Sequence, residues 1–269
     1  MLSKGGGNKP VKLDRSALMS NLAVDYLEDF YDAQNEKDVL KFNKRRKRKT
    51  QVKQKQALHL REINPMTANQ HRAFAYYDNG DNILLHGVAG TGKTFLSLYL
   101  ALDELMYGDT NKEKVVIVRS VVPTRDIGFL PGDINSKLAP FTAPVYENMY
   151  RLYKKEAIEK CVEEGTIEIV PIAFMRGRNF TDCLVIAVEA QNLTDSQTEL
   201  LLTRMCNGSK LIFCGDNAQI DLKDKKTSGF DFMCKHLINV PGFTTISLQN
   251  NHRHAIVDPI LEVYKNFRN

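Results

Sequence analysis

From about Leu58 onward, short apolar runs alternate with longer stretches in which apolar positions recur at helical spacing. The runs predict strands at Asn82-His86, Val115-Val118, Ile167-Pro171, Leu184-Val188, Lys210-Cys214 and Thr244-Leu248, most of them followed by a loop and a helix. They are rich in Val, Ile and Leu and lack a polar face, so they are expected to be buried on both sides. Joined by helical crossovers, they predict an α/β fold with a mostly parallel sheet covered on both faces. Thr194-Asp195-Ser196-Gln197 reads as a capping box that starts a helix with Leu200, Leu201 and Met205 on its buried side. The region before Leu58 is different. Residues 1 to about 15 are polar and glycine-rich and read as disordered, after which Ser16 would cap a short helix. Leu18, Leu22, Tyr26 and Phe30 would form one side of it, opposite Asp25, Glu28, Asp29 and Asp32. The chain thus divides into an N-terminal extension, 1–57, and one domain, 58–269.

Ligands of open parallel sheets bind beyond the carboxyl ends of the strands, so the loops there hold the candidate chemistry. The segment Gly87-Val88-Ala89-Gly90-Thr91-Gly92-Lys93-Thr94 joins the Asn82-His86 strand to a helical stretch. It satisfies G-x-x-x-x-G-K-[ST], the phosphate-cradling loop of nucleoside-triphosphatases, in the strand-loop-helix setting the motif needs. Gly87, Gly90 and Gly92 let the backbone turn and aim several N–H groups, Thr91 among them, at one anion, and the following helix adds its positive end. Lys93 would reach the β- and γ-phosphates, and Thr94 would ligate Mg²⁺. Glu189, just past the end of the Leu184-Val188 strand, is placed as general base for the attacking water. Asp216 and Gln219, after the Lys210-Cys214 strand, are placed to sense the γ-phosphate. Gln70 has both a donor and an acceptor and so can pair with an adenine edge.

Charge adds a second feature. The 269 residues carry a net charge of +5, yet Lys41 to Lys55 holds nine Lys or Arg and no acid, leaving 28 basic against 32 acidic residues elsewhere. Lys44, Arg45, Arg46, Lys47, Arg48 and Lys49 form its centre. Such a run reads as a contact for nucleic acid or another polyanion, as a solvated linker, or as an import signal. No apolar run approaches the length of a membrane span and no secretory leader opens the chain, which leads us to expect a cytoplasmic protein. Five scattered cysteines, with no C-x-x-C pair, argue against a disulfide scaffold or zinc site and are expected to be small buried hydrophobes.

From about Pro65 to Tyr264 the chain resembles the PhoH family of ATPases, whose core is similar to the first domain of superfamily 1 helicases. The phosphate loop, Gly128-Phe129-Leu130-Pro131-Gly132-Asp133 with Lys137 and Pro140, and Met175-Arg176-Gly177-Arg178 carry the resemblance. It continues through Glu189-Ala190-Gln191-Asn192-Leu193-Thr194, Gln197, Leu202-Thr203-Arg204, Gly215-Asp216, Gln219-Ile220-Asp221-Leu222 and Arg253-His254. It implies a RecA-like core that binds ATP with Mg²⁺, roles in RNA metabolism and phosphate starvation, and frequent carriage by bacteriophages. Arg176, Arg178 and Arg253 are candidates to meet charge on the transferring phosphate. If Arg253 acts from a neighbouring subunit, the active form is a homo-oligomeric ring. The chain departs from the family twice. Val188 stands where the magnesium-holding Asp is expected, and Gln249-Asn250-Asn251-His252 lacks the acid usual before Arg-His. Three accounts of Val188 are open: Asp216 takes over, the protein is an ATP-binding switch with little turnover, or the residue is a variant of an otherwise active enzyme; weak hydrolysis is the expected outcome.

Overall fold

A computed structural model describes residues 60–108, 110–120, 134–249 and 256–268. The N-terminal extension with Lys44 to Lys49, the Gly128-Asp133 segment and Arg253 lie outside the described residues. The element order is α1 (Ala68–Asp78), β1 (Asn82–His86), α2 (Lys93–Tyr107), β2 (Lys114–Arg119), α3 (Ile134–Leu152), α4 (Lys155–Glu163) and β3 (Ile167–Pro171). It continues with β4 (Cys183–Val188), α5 (Asp195–Thr203), β5 (Lys210–Gly215), α6 (Phe230–His236), β6 (Phe243–Ser247) and α7 (Val257–Arg268).

The six strands form one sheet in the order β3-β2-β4-β5-β1-β6, and every pairing is parallel. This is the RecA-like α/β architecture expected of a P-loop core. Successive side chains alternate between two apolar layers. Ile83, Leu85, Ile117, Ile186, Val188 and Cys214 belong to the layer that also contains α2 residues Leu98, Tyr99 and Leu102. Leu84, Val116, Val185, Ala187 and Phe213 belong to the opposite layer, with Leu201 of α5 and Phe230 and Met233 of α6. Strands covered on both faces need no polar alternation, which is why they read as continuous apolar runs.

Thr194 caps α5 with the full reciprocal box: its hydroxyl accepts from the Gln197 N–H and its own N–H donates to Gln197 Oε1. The helix ends at Thr203, so Met205 lies beyond it, bridged to Phe180. The cysteines depart from expectation. Cys183 and Cys214 are buried, Cys161 and Cys234 are half-buried, and Cys206 is exposed. None forms a disulfide among the described residues, and no described helix is long and apolar enough to cross a membrane.

Candidate nucleotide-binding site

The loop between β1 and α2 is held by its own groups. Gly87 has φ +147°, and a Cβ there would come within 2.0 Å of the Leu248 carbonyl oxygen, so no other residue fits without moving β6's exit. Gly92 closes the loop with φ 81° as the residue before α2, a left-handed conformation open chiefly to glycine. Thr91 is buried, and its hydroxyl donates to the Val88 carbonyl at 3.0 Å. Lys93 Nζ bends back and donates to the Gly87 and Val88 carbonyls, both at 2.8 Å. Those two carbonyls hold the ammonium over the loop, the position from which it would meet bound phosphates.

Lys93 also acts on the residue before the loop. Burial, and then the nearby Lys93 charge, lower the His86 pKa from its ordinary 6.5. The folded state therefore resists protonation of this ring. Stability from neutral His86 is fully present above about pH 6.5 and is lost as pH falls through the lowered folded value. Thermal melts between pH 7.5 and 5 should show this decline in the free protein, and His86→Asn should flatten it.

The tips of β4 and β5 face the loop. Glu189 has φ 52° and ψ 43°, one of two described non-glycine residues with positive φ. Its Oε2 accepts from Gln191 Nε2 at 2.7 Å, and the same Nε2 donates to the Gln219 carbonyl at 3.1 Å. Gln191 Oε1 accepts the Asp216 N–H at 3.1 Å. Gln191 is fully buried and so ties the β4 tip to the β5 tip. Asp216, 6% exposed, accepts from the Ala218 N–H and from Gln219 Nε2, each at 2.9 Å. Both of its carboxylate oxygens thus organise its own turn.

Parallel register places Arg119, Val188, Cys214 and Leu85 in one row across the sheet. This row lies on the α2 side, beneath Thr94. Cys214 Sγ is 4.0 Å from the Thr94 hydroxyl and accepts from the Ser97 hydroxyl at 3.7 Å. Burial pushes its thiol up to about 11, so it stays protonated and neutral. Where a carboxylate is expected, the row offers a buried valine and a neutral thiol. Among the described residues no cluster of three His, Cys, Asp or Glu could hold a metal by itself. The Thr94 hydroxyl, with nucleotide phosphates and water, suits the sparse protein coordination typical of Mg²⁺.

At the other end of the cleft, Thr67 caps α1 and fixes Gln70, whose Oε1 accepts the Met66 N–H at 2.7 Å. Gln70, Gly90, Gly92, Lys93, Thr94, Glu189, Asp216 and Gln219 all line one cavity of about 650 Å³. Gly87 and Thr91 shape the loop behind it. The same cavity includes Phe74, Asn148 and Arg151, which sequence reading did not single out. The Arg151 guanidinium lies over the Phe95 ring, 5.1 Å from its centroid. Arg178 is elsewhere, in a two-pronged pair with Glu168 at 2.6 and 2.7 Å. Each partner stabilises the other's charge, raising the Arg178 pKa and lowering that of Glu168. Arg176 lines a separate hollow with Ser196 and Thr203. Neither arginine lines the cleft.

The family model for PhoH-like proteins matches residues 62–265. The chain is 39% identical to a PhoH-like protein of Synechocystis, over 68% of this chain and 56% of that protein. It is 36% identical to a PhoH-like protein of Bacillus subtilis, over 76% of this chain and 64% of that protein. The chain therefore spans about three fifths of the length of these relatives. Among solved structures, the large terminase from a thermophilic bacteriophage is similar at 10% identity and a TM-score of 0.49, over 74% of this chain and 50% of that one.

Proposed function

Since the chain belongs to the PhoH-like protein family, we propose that this P-loop nucleoside-triphosphatase domain is a magnesium-dependent ATPase acting on RNA or single-stranded nucleic acid in the cytoplasm. The observation that carries the reading is the single cleft in which Lys93, Thr94, Glu189 and Gln219 meet Gln70. Loop N–H groups and Lys93 bind and orient the phosphates, and Gln70 selects the base. Glu189, oriented by Gln191, takes a proton from the attacking water. Bound Mg²⁺, held through the Thr94 hydroxyl, would neutralise developing phosphate charge. Gln219 and Asp216 would register whether the γ-phosphate is present. The family resemblance supports a link to phosphate starvation and to bacteriophages; if Arg253 reaches a neighbour's site, the active form is a ring or other oligomer.

The row containing Val188 favours a second reading, an ATP-binding switch with little turnover. Phosphate release measured beside isothermal titration separates the two: binding without release sinks the ATPase, and absent binding sinks both. The basic run makes a further prediction. RNA should stimulate turnover, with stimulation falling as salt rises, because phosphate contacts release counterions. Deleting residues 41 to 55 should remove most of it; equal stimulation without them defeats the role given to Lys44 through Lys49.

A further inference from the structure

We propose that the loop 220–229 is a second nucleic-acid contact, on the ATPase core itself. Lys223, Lys225 and Lys226 bind strand phosphates, and Gln191 and Asn192 couple that contact to the hydrolytic site. The inference rests on the nucleic-acid reading above and deepens it.

All three lysines are exposed, and none of their ammonium groups has a hydrogen bond or ion pair among the described residues. Asp224 lies between them and Asp221 precedes them; both are exposed, and each carboxylate accepts a local hydrogen bond. Asp224 Oδ1 accepts the Lys226 N–H at 3.0 Å, and Asp221 Oδ2 accepts from Asn192 Nδ2 at 3.4 Å. Residues 223–226 thus hold three ammonium groups without an ion pair among the described residues and one carboxylate, a local charge of +2, on a chain that is otherwise mildly acidic outside residues 41–55. A concentrated positive patch of this kind attracts a polyanion.

Its attachment is the second observation. The Asp221 N–H donates to Asn192 Oδ1 at 2.7 Å, the Ser228 hydroxyl to the Gln191 carbonyl at 2.7 Å, and the Gly229 N–H to the Leu193 carbonyl at 3.0 Å. Both ends of the lysine loop are therefore fastened to residues 191–193. The Gln191 side chain in turn holds Glu189, Asp216 and the Gln219 carbonyl. A strand that pulls on the lysines loads the support of the general base, and loss of the γ-phosphate acts on the lysines through the same bonds.

The test uses the full chain and fluorescent oligo(U) and oligo(dT), with affinity measured against salt in the presence of ADP or a non-hydrolysable ATP analogue. Lys223→Ala/Lys225→Ala/Lys226→Ala should leave ATP affinity and basal turnover unchanged. It should reduce the slope of log affinity against log salt by about 2, at roughly 0.7 per lost phosphate contact. The loss should be equal on both oligonucleotides, because lysine-phosphate contacts ignore the sugar. Asn192→Ala, or the milder Ser228→Ala, should keep the slope but abolish the difference between the two nucleotide states. An unchanged slope in the triple variant, or a loss confined to one sugar type, overturns the contact. An undiminished nucleotide dependence in both coupling variants overturns the coupling. Wild type that binds neither oligonucleotide sinks the nucleic-acid reading itself.

Discussion

Replacing Val188 with aspartate is expected to raise magnesium-dependent ATP turnover roughly ten- to a hundredfold, the usual worth of a carboxylate that orients a metal's outer shell. Register places the new carboxylate beside Cys214, on the α2 side of the sheet and so toward Thr94. The same substitution buries an anion in an apolar layer where Val188 is 2% exposed. Without nucleotide and metal, the variant should lose on the order of 3 kcal/mol of stability. Part of that cost is offset by Arg119, the neighbour on β2, whose Nε is buried without a hydrogen-bond partner. Adding ATP with Mg²⁺ should restore much of the loss in a thermal melt. An unchanged rate in Val188→Asp, together with abolition of turnover by Asp216→Ala, would mean that Asp216 has taken over. For that role Asp216 must serve the metal while keeping the two hydrogen bonds that hold its own turn.

Glu189→Gln should reduce turnover by about a hundred- to ten-thousandfold while leaving ATP affinity nearly intact, as expected for loss of a general base. Backbone geometry makes a companion experiment informative. A non-glycine residue in the left-handed region is strained by roughly 1–2 kcal/mol, and such strain gathers at functional sites. Glu189→Gly should therefore abolish turnover and at the same time raise the melting temperature by about 2–4 °C, after allowance for the side-chain bond to Gln191. Turnover that survives both substitutions would remove Glu189 from the chemistry. A lower melting temperature for Glu189→Gly would instead show that its side-chain contact outweighs the strain.

The four inner strands were legible because each crosses the sheet as an apolar run, while the edge strands β3 and β6, interrupted by Glu168 and by Thr244 and Thr245, showed through fewer apolar positions. Their ends were less so. Lys114 and Arg119 belong to β2 by pairing with Cys183 and Val188, but their polar side chains hide this from the pattern. Gln70, singled out only for an amide able to meet an adenine edge, lines the same cleft as the phosphate loop, which was readable because its chemistry is a local motif. Asn148 and Arg151 were not, since they reach the cleft from the last turns of α3 through packing on α2, and no local spacing announces that. Gln191 was visible as a letter in a resemblance, while its function as the bond between two strand tips depends on β4 and β5 being neighbours. The left-handed turn at Glu189 has no sequence signal at all, because glutamate is not the residue that conformation prefers. Cys206 was misjudged for a related reason: composition gives the average burial of cysteine, and the turn after α5 places this one at the surface.

The tight fit at Gly87 reaches beyond nucleotide binding. The Leu248 carbonyl fills the space a side chain would need, and the Leu248 N–H donates to the His86 carbonyl at 2.7 Å. The entrance of the phosphate loop and the exit of the last strand are thereby stitched into a single joint. Arg253 follows five residues along the chain. A ligand that tightened the loop would therefore also load the end of β6, and a shift at Leu248 would reach the loop through the same contact.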